Sequence, residues 1–174
     1  MIKMSKDGIP TFGEVTGELR EPAGSTSRGN QVYHFPANSG RVGATAGFAF
    51  TNDVGSATVP ASQTASTLTI PLALKAGDVI TAFTVSGQIE SAGATATIDA
   101  DLRATTAAAS DLTDASVGAI TKVSASADTL VAAAKTGLSH TVISGNSYYV
   151  LVTVTTAAVT DVDLQGVEVT VTEK

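Results

Sequence analysis

Cysteine is absent from the 174-residue chain, and so is tryptophan. Without thiols there is no disulfide staple, no thiolate nucleophile and no Cys-based zinc or iron–sulfur site. Aromatic residues make up only 5% of the chain and charged residues only 15%. The hydrophobic share of 43% suffices for a core, but it leans on Ala and Val, which bury less apolar area per strand than Leu or Phe. Modest stability of the single subunit is expected, with more gained from oligomer contacts. No apolar run approaches the roughly 20 residues that span a bilayer. The opening MIKMSKDGIP carries charge where a secretory leader has an apolar stretch. A soluble chain with no membrane partner is expected.

Basic residues are also scarce. The net charge is −6 and the pI near 4.7, which argues against nucleic acid as a partner, because phosphate contacts need clustered Lys and Arg. No Gly-x-Gly-x-x-Gly opens a helix, so no nucleotide or other cofactor is expected. The two histidines, His34 and His140, have neither a G-x-S-x-G nor an H-E-x-x-H motif beside them. Both read as ordinary strand residues, no catalytic residue is assigned, and a non-enzymatic protein is expected.

What the chain does have is alternation. In TLTIPLALKAGDVITAFTVSGQIESAGATATIDADLRATT (67–106), Leu68, Ile70, Leu72 and Leu74 share one parity. After the turn Lys75-Ala76-Gly77-Asp78 the pattern resumes with Val79, Thr81, Phe83, Val85 and Ile89. Past Ser91-Ala92-Gly93, Ala94, Ala96, Ile98, Ala100 and Leu102 face one way, and Thr95, Thr97, Asp99, Asp101 and Arg103 the other. Successive side chains of a strand point to opposite faces, so this pattern marks antiparallel strands with one wet face. AAASDLTDAS then suggests a helical turn or a loop. Gly118 to Ala125 and Thr129 to Ala134 suggest a weaker strand pair with a turn at Ser126-Ala127-Asp128, although the second segment also suits a helix. Leu138 to Ile143 reads as a strand, Ser144-Gly145-Asn146-Ser147 as a turn. YYVLVTVTT (148–156) is apolar on both faces at its start and should lie centrally, covered on both sides. In Asp161 to Thr172 the apolar parity switches at Gly166, as a β-bulge would make it. About eight strands after Ser66, with no long helix, fit an antiparallel jelly-roll-like β-sandwich over residues 61–174.

Residues 1–60 read differently, as an extended N-terminal arm with room for short strands at Gln31 to Phe35 and Ala44 to Thr51. Gly, Pro, Ser and Asn interrupt them at close intervals. Residues 1–41 hold five basic and four acidic residues, whereas 42–174 hold five and twelve. Five of the eight aromatics lie in this part: Phe12, Tyr33, Phe35, Phe48 and Phe50. Spaced aromatics suit a segment that orders against a neighbour; the other reading makes Tyr33, Phe35, Phe48 and Phe50 core residues of the first strands. Phe12 is the best anchor candidate. Two D-x-D pairs, Asp99 with Asp101 and Asp161 with Asp163, each put two carboxylates on one strand face. Neither has the wrapping loop that calcium requires, so they read as solvated faces, with Arg103 placed to pair with Asp101.

The run from Thr67 to Ile120, with SGNSYYVLVTVTTAAVTDVDLQGVEVTVTE (144–173), resembles small all-β virion proteins of tailed bacteriophages: capsid decoration, cement or head-fibre proteins. The resemblance lies in Thr/Ala/Val-rich amphipathic strands, no cysteine and acidic charge. It implies a homo-oligomer, most often a trimer, that sits on the outer capsid surface of the virion. Its partner would be the major capsid protein, held through the arm, with Phe12, Tyr33 and Phe35 filling pockets and Arg20, Arg28 and Arg41 meeting carboxylates. The alternative is a carbohydrate- or receptor-binding sandwich, for which Tyr148 or Tyr149 would supply a stacking surface.

Overall fold

The structure is a computed structural model, and it describes residues 29–43, 47–51, 55–108 and 111–174. Ten strands follow in chain order among the described residues: β1 (Asn30–Pro36), β2 (Arg41–Val42), β3 (Ala49–Thr51), β4 (Ser56–Val59), β5 (Ser66–Leu72), β6 (Val79–Ala108), β7 (Asp111–Lys135), β8 (His140–Thr141), β9 (Ser147–Thr155) and β10 (Thr160–Thr172). A 3-10 turn, Ala37–Ser39, breaks the pattern between β1 and β2. Every pairing among the described residues is antiparallel. The fold is the expected all-β, antiparallel, jelly-roll-like sandwich.

Its two layers share one ribbon. The first half of β6 pairs with β10, from Val79 opposite Thr172 to Ser91 opposite Thr160. Its second half pairs with β9, from Thr97 opposite Thr155 to Thr105 opposite Ser147. Along its other edge β6 carries β7 almost throughout. The strand turns from one layer to the other at Ser91 to Ala96, where Gly93 takes φ +101°, a value few residues with a Cβ adopt. One layer therefore runs β2-β5-β9-β6-β7. The other joins β6 to β10, which carries β1 and β4 along its far edge, with β3 beyond β4.

The alternating residues close the core between these layers. Leu68 and Ile70, Ile98 and Leu102, and Val150, Val152 and Val154 point inward from one layer. Phe83, Val85, Ile89, Leu164, Val167, Val169 and Val171 meet them from the other. The parity switch in β10 is a bulge: Leu164 opposes Gly87 and Gly166 opposes Ser86, leaving Gln165 unpaired. Gly166 is required there, because a Cβ would run into the carbonyl oxygen of Phe35 and lie 3.1 Å from the Pro36 Cα.

Two expectations change. Where a helical turn or loop is expected within 107–116, the described residues form the outer end of a ribbon: Ala107 opposes Leu112 and Arg103 opposes Ser116. The strand pair with a turn at 126–128 is one continuous strand, β7, since pairing to β6 overrides the weak strand propensity of its alanines. Residues 30–60 contribute four strands to the sandwich, and β1 and β3 fall where short strands are expected. The Gly and Pro positions there separate short strands, and Tyr33 and Phe35 alternate inward against the core.

Candidate functional site

The outer face of the β5-β9-β6-β7 layer carries side chains that the core does not use. Strand register fixes their rows. Pro71, Tyr149, Arg103 and Ser116 stand side by side across four strands, and Thr69, Leu151 and Asp101 form the next row. Neighbouring strands lie about 4.8 Å apart, so a row spans a distance comparable to a short oligosaccharide. Tyr149 and Leu151 are half-buried, so β9 is central in its layer but covered on one side only.

Arg103 organises this face. Its Nη1 donates to Asp101 at 2.6 Å and its Nε to Asp114 at 2.8 Å. The Tyr149 hydroxyl donates to the same Asp114 oxygen at 2.8 Å, the Ser116 hydroxyl to the other oxygen of Asp101 at 2.5 Å, and Thr105 to Asp114 at 3.4 Å. Side chains from three strands thus hold one another, with two carboxylates and one guanidinium in fixed positions. Charge-assisted bonds of this kind are the strong ones, and the planar guanidinium sets their directions. The hydrogen bonds to Asp114 and then Asp101 hold Arg103 above its ordinary value. At Asp114 partial burial opposes ionisation, but bonds from Tyr149 and Arg103 outweigh it, and the net shift is downward. Burial, then donation to Asp114, raises the Tyr149 phenol. Arg103 and Asp101 share a face as the sequence pattern indicates. Asp114 and Tyr149 join them through cross-strand register, for which no local signal exists.

A second feature lies on the opposite layer. The bulge at Gln165 leaves a gap where β1 and β4 meet end to end along β10, forming an open notch of about 350 Å³. His34, Ser86, Gln165 and Glu168 line it, with Phe35 at its side, and His34 Nδ1 lies 3.3 Å from Glu168. His140 is elsewhere: its Nε2 is 3.1 Å from the Tyr148 hydroxyl, which also accepts the Ile143 N–H. That bonding and a buried ring remove Tyr148 as a stacking surface. Among the described residues, no three His, Asp or Glu side chains gather as metal ligands do. Asp99 accepts the Lys122 N–H, and Asp163 accepts the Thr58 hydroxyl.

Of the proposed arm residues, Tyr33, Phe35 and Arg41 lie among the described residues. Tyr33 and Phe35 lie in β1, half-buried against the core, and the Tyr33 hydroxyl reaches Glu173 at 3.5 Å. Arg41 lies in β2, exposed, opposite Thr69. Phe12, Arg20 and Arg28 fall outside the described residues.

No family model matches the chain, and no curated protein matches it. Solved structures do show distant likeness. A family two carbohydrate esterase from Cellvibrio japonicus aligns at 10% identity and TM-score 0.37, over 86% of this chain and 35% of its own. A CBM4 structure aligns at 13% and 0.38, over 82% and 86%. The enzymatically active domain of tailspike protein 4 from bacteriophage CBA120 aligns at 14% and 0.34, over 80% and 19%. This chain therefore spans about a third of the esterase and a fifth of the tailspike domain. The likeness is one of β architecture.

Proposed function

We propose that the protein is a non-enzymatic glycan-binding β-sandwich, with its site on the outer face around Tyr149. The observation that carries this reading is Tyr149, partly exposed on the outer face, with its hydroxyl set in a fixed array of Arg103, Asp101 and Asp114. Sugars combine apolar C–H faces with in-plane hydroxyls. A tyrosine offers its ring to the former, while carboxylates accept from, and a guanidinium donates to, the latter. Because these groups already hold one another, binding costs little side-chain ordering. Asp99, Asp101 and Asp114 outnumber Arg103 on this face, so neutral glycans are favoured over sialylated or uronic ones. Attachment to a capsid is the weaker reading, since Tyr33, Phe35 and Arg41 lie on strands paired into the sandwich.

Screening the full chain against a panel of neutral and acidic oligosaccharides tests the proposal: binding to neutral members supports it, and a blank panel counts against it. A pH series adds a second check. The lowered Asp114 carboxyl stays ionised down through the ordinary aspartate range, and the raised Tyr149 phenol stays protonated up through the tyrosine range. Affinity measured by calorimetry should be flat from about pH 5 to pH 9. On the acid side it should fall as pH drops through the lowered Asp114 value, where protonation takes away the acceptor shared by Arg103 and Tyr149.

A further inference from the structure

β7 is a 25-residue strand, and among the described residues only its edge toward β6 is paired. Such an edge presents a row of unpaired N–H and C=O groups, and proteins usually blunt it with proline, lysines or short strand length. β7 contains no proline and only Lys122 and Lys135. The two most exposed large apolar side chains among the described residues, Leu130 at 82% and Leu112 at 71%, also lie on it. An uncovered strand of this length and composition calls for a partner.

The segment at its middle indicates which partner. Where the ribbon bends between the layers, the extra residues are on β6: Ala92 opposes Ala127 and Ala96 opposes Ala125, so β7 runs from Val123 to Thr129 without insertion. That segment, Lys122 to Asp128, reads KVSASAD. Laid antiparallel on a second copy of itself about Ala125, it sets Lys122 opposite Asp128 twice. Val123 then meets Ala127, Ser124 meets Ser126, and Ala125 meets its own copy. Directly opposed pairs of unlike charge stabilise an antiparallel ladder, and like charges weaken it. The small central side chains let the backbones approach. Asp128 Oδ1 accepts the Ser91 N–H at 2.8 Å, which holds the exposed carboxylate at this end of the segment. Lys122 ends the regular part of the segment: β7 carries one extra residue between Val123 and Ile120, Lys122 takes φ +43°, and its N–H goes to Asp99 at 2.8 Å, so its side chain meets Asp128 at the end of the ladder and not within it.

We propose that β7 pairs with β7 of a second copy about a two-fold axis at Ala125, extending the sandwich across a dimer by backbone bonds. This is an isologous contact, in which the same patch meets itself. It leaves Asp114 and Ser116 uncovered, so two Tyr149 faces would be joined in one particle, which raises avidity without any new contact to ligand.

Sedimentation velocity on the full chain at micromolar concentration reads the outcome. The wild type should sediment as a dimer. Lys122→Glu and Asp128→Lys should each sediment as monomers, because each sets like charges opposite one another at both ends. An equimolar mixture of the two variants should return to a dimer. At one end of the mixed pair the introduced glutamate faces the introduced lysine, and at the other the native Lys122 faces the native Asp128. Recovery in the mixture also shows that both variants are folded. A monomeric wild type overturns the proposal, as do single variants that remain dimeric or a mixture that stays monomeric.

Discussion

Phe83→Ala is expected to destabilise the protein by about 3–5 kcal/mol, which lowers the Tm by roughly 10 °C or more for a chain of this size. Phe83 is fully buried and heads the largest side chains of the core. It lies on β6 with Val169 of β10 opposite on one edge and Lys135 of β7 on the other. Strands paired on both edges cannot slide inward to fill the space, so most of the cavity would remain. The surrounding core is largely Val, Leu, Ile and Ala, and none of these neighbours extends far enough to occupy a phenyl ring's volume. Thr153→Ala, on the outer face of β9, provides the contrast and should change stability by no more than about 0.5 kcal/mol. Thermal denaturation of the three proteins under one condition makes the comparison.

Tyr149→Ala is expected to weaken glycan affinity by roughly 30-fold or more, corresponding to the loss of about 2 kcal/mol typical of an aromatic hot spot. The change removes the ring that would cover the sugar's C–H face. It also leaves Asp114 with one fewer donor, so the carboxylate relaxes from its fixed position. Tyr149→Phe separates these effects. It keeps the ring and deletes only the bond to Asp114, for which roughly a tenfold loss is expected. Tyr149→Phe keeps the partly buried ring and should melt close to the wild type, and affinities are compared below the melting range of all three proteins. Equal affinity for all three proteins would remove Tyr149 from the site.

The elements legible in the sequence are those whose alternation is sharp. Leu68-Ile70-Leu72 in β5 and Ala96 to Leu102 in β6 each place one parity in the core. The bulge in β10 was also readable, because a parity switch at a glycine has few other causes. The ribbon of β6 and β7 was not. Gly93 looks like the end of a strand, although here it bends one that continues, and the alanines of β7 have no strand preference of their own. β1 was readable only as a short strand of an arm: just Tyr33 and Phe35 point inward, within a stretch whose glycines and prolines resemble those of a linker.

Half of the candidate site could be read in the same way. Asp101 and Arg103 are two residues apart on one strand, so local geometry puts them on one face. Tyr149 and Asp114 come from strands 46 and 11 residues away from Arg103 in the chain. Their meeting depends on the pairing of Arg103 with Tyr149 and Ser116, a consequence of the whole sheet. The sequence reading of β9 as covered on both sides also hid the site, because it assigned to the core the face on which Tyr149 is half-exposed.

A nitrogen–proton correlation spectrum of the labelled full chain, titrated with the tightest-binding neutral oligosaccharide from the panel, is the most direct test. The shifting amides should cluster on Tyr149, Leu151, Asp101, Arg103 and Ser116, leaving β10 and β1 unmoved. Shifts gathered instead around His34, Gln165 and Glu168 would place the ligand in the notch on the other layer and contradict a site at Tyr149.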